Sequence, residues 1–244
     1  MTAKTPYGGK LHRRAKVKGG RSVILAADHP AVVEGRSLFG RTVHPSVSPR
    51  LLVKGFNSRK IGGRVQIGRW KGFPIYTLTL EERATCPRSC EQWRECYGNN
   101  MHWARRHMHG PELEMRLRIE IAALAAKHPR GFVVRLHVLG DFYSAEYAEL
   151  WADLIRLIPP LHIFGYTAQH PHDEIGRVIK RANASDRCWI RFSGCDLGAM
   201  GAVVIPHKIA SQSVICPAQT DATDCCATCG LCWTMERTVE FLQH

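Results

Sequence analysis

Apolar residues recur every three or four positions in three stretches of the chain, which is the spacing of one helix face. Each stretch is followed by a short apolar run with β-branched and aromatic residues, which is typical of a strand. The predicted helices cover residues 111–128, 144–160 and 172–184, and the predicted strands cover residues 132–142, 162–168 and 188–194. Such alternation favours parallel strands joined by helical crossovers. The predicted fold class is therefore α/β, either a partial (β/α) barrel or an open parallel sheet.

The first quarter of the chain carries no such pattern. Residues 1–22 are polar, basic and rich in glycine, so we expect little order there. Residues 23–63 mix short apolar pieces with His-Pro and Ser-Pro pairs, which are typical of turns and irregular chain. Residues 64–70 and 73–80 are predicted to be two strands with a tight connection. The predicted domains are a basic, largely irregular N-terminal arm (1–63), an α/β domain with the first cysteine cluster (64–206) and a cysteine-rich C-terminal segment (207–244).

The predicted strands carry polar residues on one face. In residues 132–139 the even-numbered positions are all apolar, whereas Arg135 and His137 interrupt the opposite face. Arg191 does the same in the strand at residues 188–194. Because helical crossovers normally cover both faces of a parallel sheet, we predict a polar cavity lined by these three side chains inside an incomplete barrel. A sheet with one open, wet face is the alternative.

The composition predicts a cytoplasmic protein with no membrane partner. The 244-residue chain is 45% hydrophobic, has no run of the roughly 20 apolar residues that a membrane span needs, and starts without a secretory apolar core. In a reducing compartment its ten cysteines are more typical of metal sites than of disulfides, and a disulfide scaffold is the weaker alternative. Cys188 and Cys195 flank the last predicted strand and are predicted to be packing residues.

The basic residues are concentrated at the start of the chain. Of 34 lysine and arginine residues, 16 lie in residues 1–72, against only Asp28 and Glu34. The rest of the chain is close to neutral. Such a segment suits a polyanion, because neutralising phosphates releases counterions. We therefore predict that residues 1–72 bind a nucleic acid or another phosphate-bearing partner; a solvated extension without a ligand is the alternative.

The first cysteine cluster has the spacing C-x3-C-x5-C and consists of Cys86, Cys90 and Cys96. Three thiolates on one loop can hold three irons of a [4Fe-4S] cluster and leave the fourth iron open to a small ligand. A structural zinc site needs a fourth protein ligand. Three histidines follow within reach, namely His102, His107 and His109. The sequence therefore favours iron–sulfur ligation and keeps a Cys3His zinc site as the alternative.

The second cysteine cluster lies near the end of the chain. Cys226, Cys229 and Cys232 form the compact C-x2-C-x2-C run of bacterial ferredoxins, which a cysteine followed by proline completes. Cys216, followed by Pro217, lies ten residues upstream of that run. These four cysteines are therefore predicted to hold a second [4Fe-4S] cluster, with a zinc knuckle as the rival. Cys225 can replace Cys226 as a ligand, and the sequence leaves that choice open.

Three stretches together resemble the phage-borne gene-eighty-eight protein family. They are TLTLEERATCPRSCEQWRECYGNNM at residues 77–101, RLHVLGDFYSAEYAELW at residues 135–151, and ICPAQTDATDCCATCGLCW at residues 215–233. Members of that family share a CP…CY segment, an R-x-H-x-x-GDF strand end and a CP-x-Q…C-x2-CG-x-CW tail. The resemblance covers roughly residues 65–235 and excludes the basic arm.

A more distant resemblance is to radical SAM enzymes, which are partial β/α barrels. In them a three-cysteine loop holds a cluster whose open iron binds S-adenosylmethionine, and a glycine-rich acidic turn holds the amino group of that cofactor. The resemblance implies that Cys86, Cys90 and Cys96 form the loop and that Gly140, Asp141 and Phe142 form the turn. The C-terminal cysteines would then correspond to an auxiliary cluster. The spacing departs from C-x3-C-x2-C, since the second gap is five residues here and Tyr97 follows the last cysteine.

Together these features predict an iron–sulfur enzyme with reductive or radical chemistry, supplied by an electron donor. S-adenosylmethionine is the candidate cofactor. Asp141 follows a predicted strand, at the edge where α/β folds bind ligands, and is expected to hold a cofactor or substrate amine. The predicted catalytic residues are Asp141, His137, Arg135 and Arg191. A non-catalytic, zinc-stabilised nucleic-acid-binding protein is the alternative from another class, and a plain electron carrier is a third.

Overall fold

The computed structural model describes residues 23–48, 50–206 and 213–243. The strands are β1 (Val43–His44), β2 (Val53–Lys54), β3 (Ile75–Thr77), β4 (Arg106–His107), β5 (Phe132–Leu136), β6 (Leu161–Thr167), β7 (Cys188–Ser193), β8 (Gly201–Ile205), β9 (Val214–Ile215) and β10 (Val239–Leu242). The helices are α1 (Pro30–Val33), α2 (Pro111–Lys127), α3 (Ala145–Leu157), α4 (Glu174–Ala182) and α5 (Cys226–Cys229). No helix in these ranges is long and apolar enough to cross a membrane.

Eight of the strands form one mostly parallel sheet. Its order is β2-β3-β5-β6-β7-β8-β10-β9, and β2 is the antiparallel member. The remaining two strands, β1 and β4, form a separate parallel pair. Among the described residues β2 and β9 do not pair with each other, so the sheet is open and not a closed barrel. The α/β prediction is confirmed in its open-sheet form.

The three long helices follow the predicted pattern. Pro111 starts α2, the Ser144 hydroxyl caps α3 by accepting from Tyr147 N at 3.1 Å, and Asp173 caps α4 by accepting from Gly176 N at 2.6 Å. Their apolar faces and one face of the sheet form the larger core. It contains Leu117, Val134, Leu136, Trp151 and Ile179.

The opposite face of the sheet is covered by irregular chain. Val133 and Phe164 pack there against Trp70, Trp233 and Ala227. The Trp70 and Trp233 rings stack with centroids 5.5 Å apart. This second core joins the loop before β3 to the cysteine-rich C-terminal segment. The sheet therefore has two covered faces, and the face opposite the helices carries the second cysteine cluster.

Residues 64–70 are not a strand, so that prediction is wrong. Only Arg64 forms a bridge, with Pro74, and Gln66 N donates to Ala227 O at 2.8 Å. The backbone of this stretch therefore forms hydrogen bonds with the C-terminal segment and with the turn that follows it, and does not pair with another strand of the described chain. In the second predicted strand, at residues 73–80, the extended part is Ile75–Thr77.

Residues 23–48 lie against the first cysteine loop and are mostly irregular, as predicted. The Val32 carbonyl accepts from Trp93 Nε1 at 3.2 Å and from Arg88 Nη1 at 3.0 Å. Leu25 N donates to Arg94 O at 3.1 Å. This part of the predicted arm is therefore built into the fold. The expectation for residues 1–22 lies outside the described residues.

Candidate functional site

Four C-terminal cysteines line one small cavity. They are Cys216, Cys226, Cys229 and Cys232. Cys216 follows β9, Cys226 and Cys229 begin and end α5, and Cys232 lies in the 3-10 turn after it. Gly230 joins these two elements with a φ of 71°, a left-handed conformation that glycine adopts without strain. The structure thus brings together the four residues that the ferredoxin-like spacing selected.

Cys225 is turned away from this cavity. This residue is 3% exposed, packs in the core with Trp70 and Trp233, and donates its backbone N–H to the Thr228 hydroxyl at 3.2 Å. Cys226 lines the cavity instead. The sequence left the choice between these two neighbours open; in the structure Cys225 is part of the core, whereas Cys226 packs against that core and also lines the cavity.

Cys232 has a pKa lowered to about 6. The main cause is a hydrogen bond from the Cys226 thiol, and a 2.8 Å hydrogen bond from the Tyr166 hydroxyl acts in the same direction. The positive charges of Arg191 and Arg135 lower it further, and together these effects outweigh burial. Cys232 is therefore a thiolate at neutral pH, the form that binds metals.

Arg191 anchors the cysteine segment to the sheet. It is fully buried, and its guanidinium donates to the carbonyls of Cys232 at 3.1 Å and Met235 at 2.7 Å. Its other acceptors are the carbonyls of Gly198, Gly201 and Arg237. Three of these acceptors lie in the C-terminal segment and two lie at or just before the start of β8, so Arg191 ties that segment to the sheet. The catalytic part predicted for Arg191 stays a prediction.

Arg135 lies on the same face of the sheet as the second cluster. Its guanidinium lies 4.8 Å from the Tyr166 ring centroid and 5.5 Å from that of Phe164. Its charge acts on Cys232 and also on Tyr97, where it opposes the rise in pKa that burial causes. Tyr97 follows Cys96 directly, so Arg135 is within electrostatic reach of the second cluster and of the loop that carries the first.

His137 lies on the opposite side of the sheet from Arg135, so the prediction that they share a face is wrong. Its Nε2 is 2.9 Å from the Tyr147 hydroxyl, and its ring contacts Phe142, both in the helix-side core. Strand β5 ends at Leu136, so the two-residue alternation ends before this position. Burial lowers the pKa of His137 to about 3, so the imidazole is neutral.

The loop of the first cluster is held by buried charged residues that the sequence reasoning missed. Arg106 donates to both carboxylate oxygens of Glu82, at 2.5 and 3.0 Å, and both side chains are buried. Arg83, with a φ of 64°, donates to Asn99 Oδ1 at 2.6 Å. Neither pair has helical spacing or a motif, so no signal in a single sequence identifies them.

The three thiols of the first cluster lie within electrostatic reach of one another. Burial raises the pKa of Cys86, and the charges of Asp141, Cys96 and Cys90 raise it further. Burial likewise raises the pKa of Cys96 to about 11. The free thiols are therefore protonated at neutral pH, and a bound cation would have to displace their protons.

Asp141 joins the ends of two neighbouring strands beside this loop. Its Oδ1 accepts from Phe142 N at 2.7 Å and its Oδ2 from Ala168 N at 2.6 Å. Burial nevertheless raises its pKa to about 6. Gly140 has a φ of 81°, and a Cβ there would lie 2.6 Å from Thr85 Oγ1. The predicted turn thus lies directly against the first cysteine loop.

The other candidate ligands lie elsewhere. His102 packs on Phe39, His109 packs on Tyr143, and His107 is buried in β4. Cys188 is buried with its thiol 3.3 Å from Asn183 Oδ1, and Cys195 packs against the larger core, as predicted. Over the described residues, no group of three or more His, Cys, Asp or Glu side chains is placed to hold a metal ion.

A family model described as Gene product 88 matches residues 51–198, more than half of the chain. The chain belongs to the gene product 88 family. The matched region contains the first cysteine cluster, Asp141 and Arg191, and it ends before Cys216. No curated protein and no solved structure matches the chain significantly. The resemblance to radical SAM enzymes therefore has no counterpart in these comparisons.

Proposed function

We propose that this member of the gene product 88 family is an iron–sulfur protein whose second cysteine cluster holds a [4Fe-4S] group. The observation that carries the proposal is the cavity lined by Cys216, Cys226, Cys229 and Cys232. A four-iron group spreads its thiolate ligands over separate irons, whereas a single zinc ion draws its ligands to one point. The cavity supplies four thiols, a number that either group can use, and the C-x2-C-x2-C spacing typical of bacterial ferredoxins favours the four-iron group.

The surroundings of this cavity suit a redox group. The Tyr166 hydroxyl and the charges of Arg135 and Arg191 act on Cys232. Hydrogen bonds and positive charges at ligand sulfurs raise the reduction potential of a cluster, because they stabilise the additional negative charge. When bound, the cluster would supply one-electron transfer. The protein would tune it through Tyr166 and Arg135.

The first group of cysteines, Cys86, Cys90 and Cys96, would hold another [4Fe-4S] group with one iron open. Asp141 is close enough to raise the pKa of Cys86, which suits a carboxylate that holds the amine of S-adenosylmethionine or of the substrate. Arg135, whose charge acts on Cys232 and on Tyr97, would hold an anionic group. We infer reductive or radical chemistry on a nucleic acid or another phosphate-bearing substrate, with an external electron donor.

A matched pair of substitutions tests the ligand assignment. Cys226→Ala removes a proposed ligand, whereas Cys225→Ala alters its neighbour, which packs in the core. In protein purified without oxygen, Cys226→Ala should lose iron, sulfide and part of the broad absorbance near ~400 nm, and Cys225→Ala should retain them. Equal losses in both variants, or no loss in either, would contradict the assignment.

The second candidate is a non-catalytic nucleic-acid-binding protein that zinc stabilises. The observation in its favour is the excess of basic residues in residues 1–72. Its cysteines would fold the chain around the ion. A colourless preparation that contains zinc and retains nucleic-acid binding would favour this candidate over the iron–sulfur enzyme.

A further inference from the structure

A basic cleft lies at the edge of the sheet where β3 and β5 begin. It has a volume of about 210 Å³ and lies between two turns, at residues 71–74 and 127–131. Four cationic side chains line it: Arg64, Lys71, Lys127 and Arg130. Neither residues 64–74 nor residues 127–131 contain an acidic residue. The cleft therefore combines cations from two separate parts of the chain.

The shape of the cleft is fixed by close packing of the two turns. Gly131 has a φ of 140°, and a Cβ there would come within 2.4 Å of the Phe73 ring. Arg64 donates to the carbonyl of Gly72, which ties the start of residues 64–70 to the turn at residues 71–74. The turns thus meet through backbone and one aromatic ring, and the charged side chains surround the opening.

Three of the four cations that line the cleft are available to an anionic ligand. Lys71, Lys127 and Arg130 are exposed, and none of them forms a salt bridge with a residue that the structure describes. Lys127 also complements the carboxyl end of α2, but that role accounts for only one of the four charges. Burial lowers the pKa of His128, and the charges of Lys127, Arg64 and Lys54 lower it further. The potential in the cleft is therefore positive.

We propose that this cleft binds backbone phosphates of a nucleic acid. This inference rests on the nucleic-acid partner of the proposed function and assigns it a site. Exposed cations attract a single phosphate weakly in water, because solvent screens each pair. A polyanion gains more, since each neutralised phosphate releases condensed counterions. Four exposed cations spread over two turns therefore suit a polymer better than a small phosphate.

The test compares two pairs of substitutions in the full chain. Lys127→Ala with Arg130→Ala removes two cations of the cleft. Arg118→Ala with Arg177→Ala removes two exposed cations elsewhere, neither of them in a salt bridge with a described residue, and changes the net charge equally. Binding of a single-stranded oligonucleotide of about 12 residues is measured by fluorescence anisotropy between about 50 and about 200 mM salt. Thermal unfolding confirms that all variants fold.

We expect the cleft pair to reduce the salt slope of log affinity by about 1.4, since each single-strand contact contributes about 0.7. Affinity near 0.1 M salt should fall on the order of 20-fold, and the control pair should stay within about twofold. Equal losses of affinity in both double variants would mean that binding depends on net charge and not on the cleft, and would overturn the proposal. Displacement of the oligonucleotide by inorganic phosphate at constant ionic strength would instead indicate a single-phosphate site and would also overturn it.

Iron and sulfide content, measured in the same preparations, separates this inference from the proposed function. If the variant with Lys127→Ala and Arg130→Ala keeps both its iron and its oligonucleotide affinity, the cleft is not the binding site. The iron–sulfur proposal is unaffected by that result. Wild-type protein that contains iron and binds no oligonucleotide would overturn the nucleic-acid partner, and the cleft with it.

Discussion

The Tyr166 hydroxyl donates a 2.8 Å hydrogen bond to Cys232 Sγ, which joins strand β6 to the C-terminal cysteine segment. The two residues are 66 positions apart, so this bond exists only in the folded protein. It acts with the Cys226 thiol and with Arg191 and Arg135 to hold Cys232 as a thiolate. The sheet therefore prepares one ligand of the second cluster before any metal binds.

Loss of the Tyr166 hydroxyl should raise the pKa of Cys232. A hydrogen bond to a charged group contributes about 1.5 kcal/mol or more, which corresponds to an increase of about one pH unit in Tyr166→Phe. The pH dependence of Cys232 alkylation, in protein freed of metal, measures this change. Tyr143→Phe is the control, because that hydroxyl binds Glu114 instead. An unchanged alkylation profile in Tyr166→Phe would contradict the assigned hydrogen bond.

The buried pair of Glu82 and Arg106 should be essential for the first cysteine loop. Glu82→Gln leaves the Arg106 guanidinium buried without its counterion, which typically costs about 3–5 kcal/mol. Urea unfolding should show this loss of stability. Asp153→Asn breaks an exposed pair with Arg156 and should change stability by about 1 kcal/mol or less. Similar stabilities for the two variants would mean that the buried pair does not hold the loop.

Asp141 should make stability fall as the pH rises from about 4 to about 6. Its folded pKa of about 6 lies above the ordinary value of 3.8, so across that window the folded state retains a proton that the unfolded state has lost. The lost stability approaches about 3 kcal/mol. The stability difference between wild type and Asp141→Asn, measured at several pH values, isolates this effect. A pH-independent difference would contradict the raised pKa.

Gly140→Ala and Gly72→Ala should differ in cost although both glycines have positive φ. At Gly140, with a φ of 81°, a Cβ would lie 2.6 Å from Leu80 Cβ and Thr85 Oγ1. At Gly72, with a φ of 90°, no atom lies within 4 Å of that position. Gly72→Ala should therefore cost only the backbone strain of about 1–2 kcal/mol, and Gly140→Ala clearly more. Equal costs in chemical unfolding would show that the turn at Asp141 can open.

The long amphipathic elements could be predicted because their pattern is local. Leu113, Leu117 and Ile121 repeat at helical spacing and are all fully buried in α2. The strand that contains Arg135 was found for the same reason, but its end was placed too late. His137 was therefore predicted on the wrong face of the sheet, because side chains no longer alternate between faces beyond the last residue of a strand.

Features that depend on distant parts of the chain could not be predicted. Residues 64–70 have strand-forming side chains, yet the backbone N–H of Gln66 donates to the carbonyl of Ala227 in the C-terminal segment and not to a neighbouring strand. The choice between Cys225 and Cys226 depends on which side of α5 faces the core, and α5 is too short for periodicity to show it. The pairing of Glu82 with Arg106 likewise follows from the loop path, which no local pattern describes.

The content of iron, acid-labile sulfide and zinc in the full-length protein, purified without oxygen, tests the central claim most directly. We predict iron and sulfide in equal amounts, about four of each per chain with one cluster and about eight with two. Zinc in place of iron, or protein with neither iron nor sulfide, would contradict the iron–sulfur proposal.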